Sequence, residues 1–270
     1  MKLHIYQPAD GLRPYVKQYY FWEDNTNGAI QLPHNLFALG DQYMVFILEG
    51  EASVKPMHHA GFTLPQNAVL GHFTCACELK VKGPVKAVIV QLNAYGGYRL
   101  LKLDMASFTN YYRSLATHEN PVWMQLAAQL GAAGEPAAIT ALLNNACTQA
   151  LAINNPPLKQ VDVMADYLVS NQGNVSVDEL SSVFNLSKPT LERLFTAIVG
   201  LPPQLYARMM RFKTAMHSMQ QLNLPQWQAN IHTTAYYNQA MFIDDYLTFN
   251  GVAPSAAATI AYMPVAAVAS

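Results

Sequence analysis

Val175-Ser-Val-Asp-Glu-Leu-Ser-Ser-Val-Phe-Asn-Leu-Ser-Lys-Pro-Thr-Leu-Glu-Arg-Leu-Phe195 is the stretch that decides how this chain is read. Ser176 or Asp178 can cap a first short helix, whose buried side is expected to be Leu180 and Val183. Asn185 stands where a tight turn wants a residue tolerant of positive φ. Ser187 then caps a second helix, with Pro189 in its first turn and Leu191, Leu194 and Phe195 on its inner face. The spacing predicts a helix-turn-helix. In such a unit the second helix enters the DNA major groove through its outward N-terminal residues, here Ser187, Lys188, Thr190 and Arg193. Apolar spacing alone serves an ordinary helical hairpin equally well, so the surrounding chain has to separate the two.

Around this stretch the sequence divides in two. Up to about residue 103 it shows short strands between turn signals: Tyr43-Met-Val-Phe-Ile-Leu48 closed by Glu49-Gly50-Glu51, two stretches between Ala68 and Lys82, and Val85 to Leu92 after Gly83-Pro84. Strands at this spacing without helices between them suggest an antiparallel sandwich or barrel. Beyond Leu103 the apolar spacing becomes helical in Phe108–Leu115, Val122–Gly131 and Pro136–Ile153. Asn154-Asn-Pro-Pro157 then interrupts the chain, because proline lacks the helical N–H and restricts the residue before it. This places a domain boundary at 155/156, a helical domain over 156–260 and a tail over 261–270.

Two later segments extend the pattern: Val199-Gly-Leu-Pro-Pro-Gln-Leu-Tyr-Ala-Arg-Met-Met-Arg-Phe-Lys-Thr-Ala215 and Ala235-Tyr-Tyr-Asn-Gln-Ala-Met-Phe-Ile-Asp-Asp-Tyr-Leu-Thr-Phe-Asn-Gly-Val-Ala-Pro-Ser255. In order and spacing, Val175 to Ser255 resembles the DNA-binding domain of the AraC/XylS family of bacterial transcription regulators. The resemblance implies two helix-turn-helix units joined by a long helix from about Pro203 to Gln221, each placing a recognition helix in a successive major groove. More loosely, Tyr6 to Trp22 and Leu64 to Gly71 look like the cupin-like sensor domain of one branch of that family. The implied fold is therefore α+β: a β-rich, cupin-like barrel with linker helices, followed by an all-α double helix-turn-helix domain. The implied partners are double-stranded promoter DNA and a small-molecule effector, with sensing or dimer contact in residues 1–155. The linker helices from Phe108 to Ile153 are expected to carry the coupling and the self-association of a homodimer, because their apolar faces exceed what one domain needs to bury.

Charge pulls against part of this. The chain carries 16 Lys+Arg and 17 Asp+Glu, a net charge of −1, which excludes a bulk polycation of the histone kind. With 51% hydrophobic and 12% charged residues it is also no disordered tail. Residues 156–270 hold six basic side chains against seven acidic ones. Phosphate neutralisation dominates DNA affinity, so the cluster Lys188, Arg193, Arg208, Arg211 and Lys213 has to supply most of it. In the second unit, Met241 and Asp244 stand where the family commonly carries His and Arg. That unit is expected to contribute weakly, through Asn238, Gln239 and helix N-terminal amides. An alternative is a regulator-like protein whose second unit has left DNA and contacts protein.

Other chemistry is thinly represented. His34, His58, His59 and His72 with Glu49, Glu51 or Glu78 do not reproduce a metal-binding spacing, and Cys75 and Cys77 supply only two soft ligands, so no metal or cofactor is expected. Gly96-Gly97 lacks the third glycine of a dinucleotide loop, and no nucleophile or zinc-protease motif occurs, so no enzyme is expected. The aromatic side chains Tyr20, Trp22, Tyr43, Phe46 and Phe73 are the candidates for an effector pocket inside the barrel. No apolar run approaches the roughly eighteen residues of a membrane span. Met1-Lys2-Leu3-His4 leads into no secretory segment, and the odd cysteine count forms no disulfide framework, so the expected location is the cytoplasm.

Overall fold

The computed structural model describes residues 2–25, 28–29, 39–154, 160–221, 231, 236–251 and 254. The boundary at 155/156, His34, Lys159, the first helix expected for the second unit and the tail over 261–270 fall outside them.

The fold is α+β. Its strands are β1 (Lys2–Tyr6), β2 (Val16–Asp24), β3 (Gly28–Ala29), β4 (Gln42–Pro56), β5 (Phe62–Thr63), β6 (Asn67–Leu70), β7 (Cys77–Leu92) and β8 (Tyr112–Ser114). They form one antiparallel sheet in the order β1-β2-β7-β4-β6-β8, with β3 on β7 and β5 on β4. Among the described residues this sheet is open, not the closed barrel expected. Nor do the two central strands stop at their turn signals. β4 and β7 pair from Gln42↔Leu92 to Pro56↔Cys77, with register shifts between Ile47 and Glu51. Gly50, at φ +79°, carries the bulge; a Cβ there would meet the Pro84 carbonyl oxygen at 2.3 Å.

That bulge curls the sheet. Tyr20, Trp22, Tyr43 and Ile89 share one hydrophobic cluster with Ala52, Val54, Leu79 and Val81 from the far half of the same hairpin. The far half therefore folds over the inner face. The opposite face, with Tyr19, Phe21, Met44, Phe46 and Val88, packs on helices. These helices are α1 (Gly96–Leu101), α2 (Val122–Ala132) and α3 (Pro136–Asn154), which contribute Leu100, Trp123, Leu126 and Leu143. Alternation along Tyr19–Trp22 predicts one buried side, yet all four are buried because both faces are covered. Each such side chain contributes on the order of 1.5–3 kcal/mol by leaving water.

Phe108–Leu115 is not the helix expected. Met105–Phe108 is a single 3-10 turn, Asn110 takes φ +57°, and Tyr112–Ser114 adds to β6 as an edge strand. The β-preferring Tyr111-Tyr112 pair overrides a weak helical spacing, while Phe108 and Leu115 stay buried at either end. α1 sits close to the sheet because Gly97 has no side chain, and its N–H donates to Gln42 Oε1 at 3.0 Å.

The rest of the described chain is helical: α4 (Gln160–Ser170), α5 (Val177–Phe184), α6 (Lys188–Val199), α7 (Pro203–Gln221) and α8 (Gln239–Asn250). They enclose a core of Leu168, Leu180, Leu191, Phe195, Phe212, Phe242 and Phe249, which also takes in Leu39, Ala94 and Tyr95 from the N-terminal half. Among the described residues no helix is long and apolar enough to cross a membrane.

Candidate nucleic-acid interface

Local rules build the first helical pair. The Ser176 side chain accepts from the Glu179 N–H at 3.1 Å and starts α5. Asn185 ends it in the left-handed region (φ 51°, ψ 46°), and the Ser181 hydroxyl donates to the Leu186 carbonyl at 2.6 Å. Ser187 caps α6 by accepting from the Thr190 N–H, and its hydroxyl also lies 2.9 Å from that of Thr190. Pro189 occupies the first turn of α6, and Gly200 closes the helix at φ +93°. Leu180, Leu191 and Phe195 are buried as expected, and Leu194 is partly so. Val183 is not: it is 53% exposed. Its expected place is taken one residue later by Phe184, whose ring meets Tyr167 edge-on at 5.9 Å.

The outward face of α6 is sparsely charged. Lys188 pairs with Asp178 on α5, both side chains remaining largely exposed, so the pair is worth little and a phosphate can compete for it. Arg193 is exposed and has no partner among the described residues; Glu192 stands next to it. Ser187 and Thr190 lie on the same end of the helix, with their hydroxyls engaged in the cap.

The arginines of α7 are committed elsewhere. Arg208 donates to Asp244 and to Asp245 on α8, and lies 3.4 Å from the Thr248 hydroxyl. Arg211 reaches Asp245 at 3.7 Å and lies over the Tyr236 ring at 5.1 Å. The Tyr236 hydroxyl donates to the same buried Asp245 at 2.5 Å, and burial together with that carboxylate pushes its pKa well up. Asp244 and Asp245, which in sequence look like repulsive neighbours of phosphate, are thus the counter-charges of the linker helix. These three ion pairs fasten α8 to α7. Asn238 Oδ1 accepts from the Met241 N–H at 2.9 Å, so this polar residue caps α8, while Gln239 is exposed in its first turn. Tyr237, Met241, Ile243 and Leu247 are exposed around it.

A third group of polar residues joins the helices to the sheet. Arg99 of α1 clamps Asp162 of α4 through Nε at 3.0 Å and Nη2 at 2.8 Å, both side chains buried. The Tyr95 hydroxyl donates to Asp166 at 3.1 Å, and burial holds that carboxyl above its ordinary value. Lys213 of α7 reaches buried Asp41 at 3.1 Å, and Lys17 pairs with the same carboxylate. Burial alone would raise the pKa of Asp41, but the two ammonium groups outweigh it and hold the carboxyl below its usual range. The Gln42 amide donates to the Val199 carbonyl at 3.0 Å, and the Thr109 hydroxyl to that of Gly200 at 2.8 Å. The C-terminus of α6 is therefore fixed to the sheet. None of these pairs carries a local sequence signal; Arg99 and Asp162 are 63 residues apart.

Of the aromatic residues considered for an effector, Tyr20, Trp22, Tyr43 and Phe73 share the inner cluster, and Phe46 points to the opposite face. The Tyr20 hydroxyl donates to Gln91 at 2.9 Å, and burial pushes its pKa up to about 12. His58 and His59 lie in the turn after β4, not on a strand, and His72 is buried beside Gln42 at 3.2 Å. Cys75 and Cys77 are free thiols. Among the described residues no three His, Cys, Asp or Glu side chains converge as metal ligands do.

Residues 4–114 match the model of a domain of unknown function, DUF6597. No curated protein sequence matches the chain. Among solved structures, ToxT from Vibrio cholerae is similar at 10% identity and a TM-score of 0.47, over 88% of this chain and 96% of that one. A ToxT structure with bound unsaturated fatty acid scores 0.41 at 9% identity, over 88% and 92%. The AraC-like transcriptional activator CuxR scores 0.31 at 11% identity, over 79% and 85%.

Proposed function

We propose that this chain is a transcription regulator of the AraC type that binds promoter DNA by inserting α6 into the major groove. The observation that carries this reading is the α5–turn–α6 pair. Both helices are capped by their own serines, α6 is seated on Leu191 and Phe195, and its N-terminal end is open to solvent with Lys188, Thr190 and Arg193 on it. On this reading residues 1–155 form the sensing and dimer-forming part and residues 156–260 the DNA-binding part of a cytoplasmic, non-enzymatic protein. An effector acts by favouring one arrangement of the two parts, and the Arg99–Asp162, Asp41–Lys213 and Gln42–Val199 contacts are what such a change would make or break.

A second reading applies to α8. Its acids are spent on Arg208 and Arg211, and Tyr237, Ile243 and Leu247 face solvent, which favours a protein contact over a phosphate backbone there. In this version α6 alone reads DNA.

Arg193→Ala tests α6 directly. The variant is expected to weaken binding to promoter DNA and to reduce the slope of log affinity against log salt by about one. An unchanged affinity with an unchanged slope would take α6 out of the groove.

A further inference from the structure

A cleft of about 530 Å³ opens on the N-terminal half, between the end of α1, β8, the turn leading into α2 and the end of α3. Lys102 and Arg113 stand in its wall, both exposed, and neither side chain has a partner among the described residues. Among the described residues Glu119 is the one acidic residue lining it, so the described lining carries an excess of positive charge. Leu103 and Ile153 supply an apolar surface beside the cations, Ile153 being 66% exposed where it could have been polar at no cost to the core.

Hydrogen bonds hold the floor in place. The His118 ring donates from Nε2 to the Leu101 carbonyl at 2.8 Å and accepts at Nδ1 from the Asn120 N–H at 3.0 Å, which fixes the ring's orientation. Asn120 Oδ1 accepts from the Val122 N–H at 3.1 Å at the start of α2, and its Nδ2 is buried without an acceptor. Two uncommitted cations and an apolar wall in one cleft of ligand size form a site for a small anion with a hydrophobic body.

We propose that this cleft binds a small organic anion, its head group on Lys102 and Arg113 and its apolar body against Leu103 and Ile153. The cleft abuts the joint between the two halves. Asn154, also in its wall, donates to the Leu100 carbonyl at 2.7 Å, and the adjacent Arg99 holds Asp162 of α4. A bound anion therefore braces the ends of α1 and α3 at the point where the helical half is attached. This gives the effector of the proposed function a place outside the aromatic core, and the binding itself does not depend on DNA.

Calorimetric titration of the full chain with hexanoate, hexyl phosphate and hexanol tests the site. Saturable binding of either anion but not of hexanol is expected, and which anion binds identifies the head group. Lys102→Gln with Arg113→Gln should weaken that binding about tenfold or more, since charge-assisted hydrogen bonds are lost. Ile153→Asp should weaken it as well, and both variants should melt at the wild-type temperature because the changed side chains are exposed. Absence of saturable binding by both anions, equal binding of hexanol, or affinity unchanged in the variants would overturn the proposal.

Discussion

Asp162→Ala is the change with the largest consequence for how the halves hold together. Arg99 lies on α1 against the sheet and Asp162 on α4 among the helices, and both side chains are buried, joined through two nitrogens. Removing the carboxylate leaves a guanidinium in a low-dielectric environment with its principal counter-charge gone. Breaking such a pair costs about 3–5 kcal/mol, several times the worth of an exposed one. At 1.4 kcal/mol per factor of ten, the folded population should fall roughly a hundredfold to a few thousandfold relative to the unfolded one. Urea unfolding followed by circular dichroism and by tryptophan fluorescence reads this. With Trp227 replaced by Phe throughout, fluorescence reports Trp22 and Trp123 of the N-terminal half, while circular dichroism weights the helices. The wild type should lose both signals together; in the variant the midpoints should separate, the helical signal falling first. Asp162→Leu combined with Arg99→Leu should recover much of the loss, because an apolar pair of similar volume carries no stranded charge. A loss below 1 kcal/mol, or a double variant as unstable as the two single changes added together, would refute the view that this pair ties the halves.

Three further outcomes follow from the same contacts. Burial chiefly, against an opposing pull from Asp41, lowers the pKa of His72 from 6.5 to about 4. The folded state therefore keeps it neutral while the unfolded state binds a proton below pH 6.5. Stability contributed by this group is complete above pH 6.5 and is lost as the pH falls toward 4, by about 3 kcal/mol; His72→Gln should flatten that part of the stability curve in urea titrations across pH. Asp245→Asn strands Arg211, leaves Arg208 with Asp244 alone and should cost about 2 kcal/mol, with faster amide hydrogen exchange confined to α8; uniform or unchanged exchange would mean that this carboxylate does not fasten α8. Gly50→Ala should destabilise the long hairpin, since both the positive φ and the Pro84 carbonyl oppose a side chain; a melting temperature equal to wild type would argue against the bulge.

What was legible in the sequence was local. Ser176, Asn185, Ser187 and Pro189 announce α5 and α6 because a cap or a left-handed turn is decided within four residues, and the structure uses them as the spacing predicts. Val122–Gly131 and Pro136–Ile153 are likewise helices within a residue or so. What failed depended on distant partners. Glu49-Gly50-Glu51 and Gly83-Pro84 read as strand ends, but opposite each other in a paired hairpin they become a bend in two continuous strands. Tyr112–Ser114 is a strand because β6 offers an edge.

The fates of the charges were the least legible. Counting predicts that Arg208 and Arg211 are available to phosphate and that Asp244 and Asp245 repel it; geometry pairs them with one another. Lys213 is drawn to Asp41, 172 residues away, and Lys188 to Asp178. Among the described residues that leaves Arg193 as the uncommitted cation of α6, so the expected DNA affinity rests on few phosphate contacts and its salt dependence should be shallow.

The most direct measurement is an anisotropy titration of the full chain against a DNA fragment from upstream of its own gene and against a scrambled fragment of equal length, at several salt concentrations. DNA reading through α6 predicts saturable binding at low salt, preference for the upstream fragment, and a salt slope corresponding to a few released counterions. Binding that is undetectable at low salt, or equal for the two fragments, would contradict it.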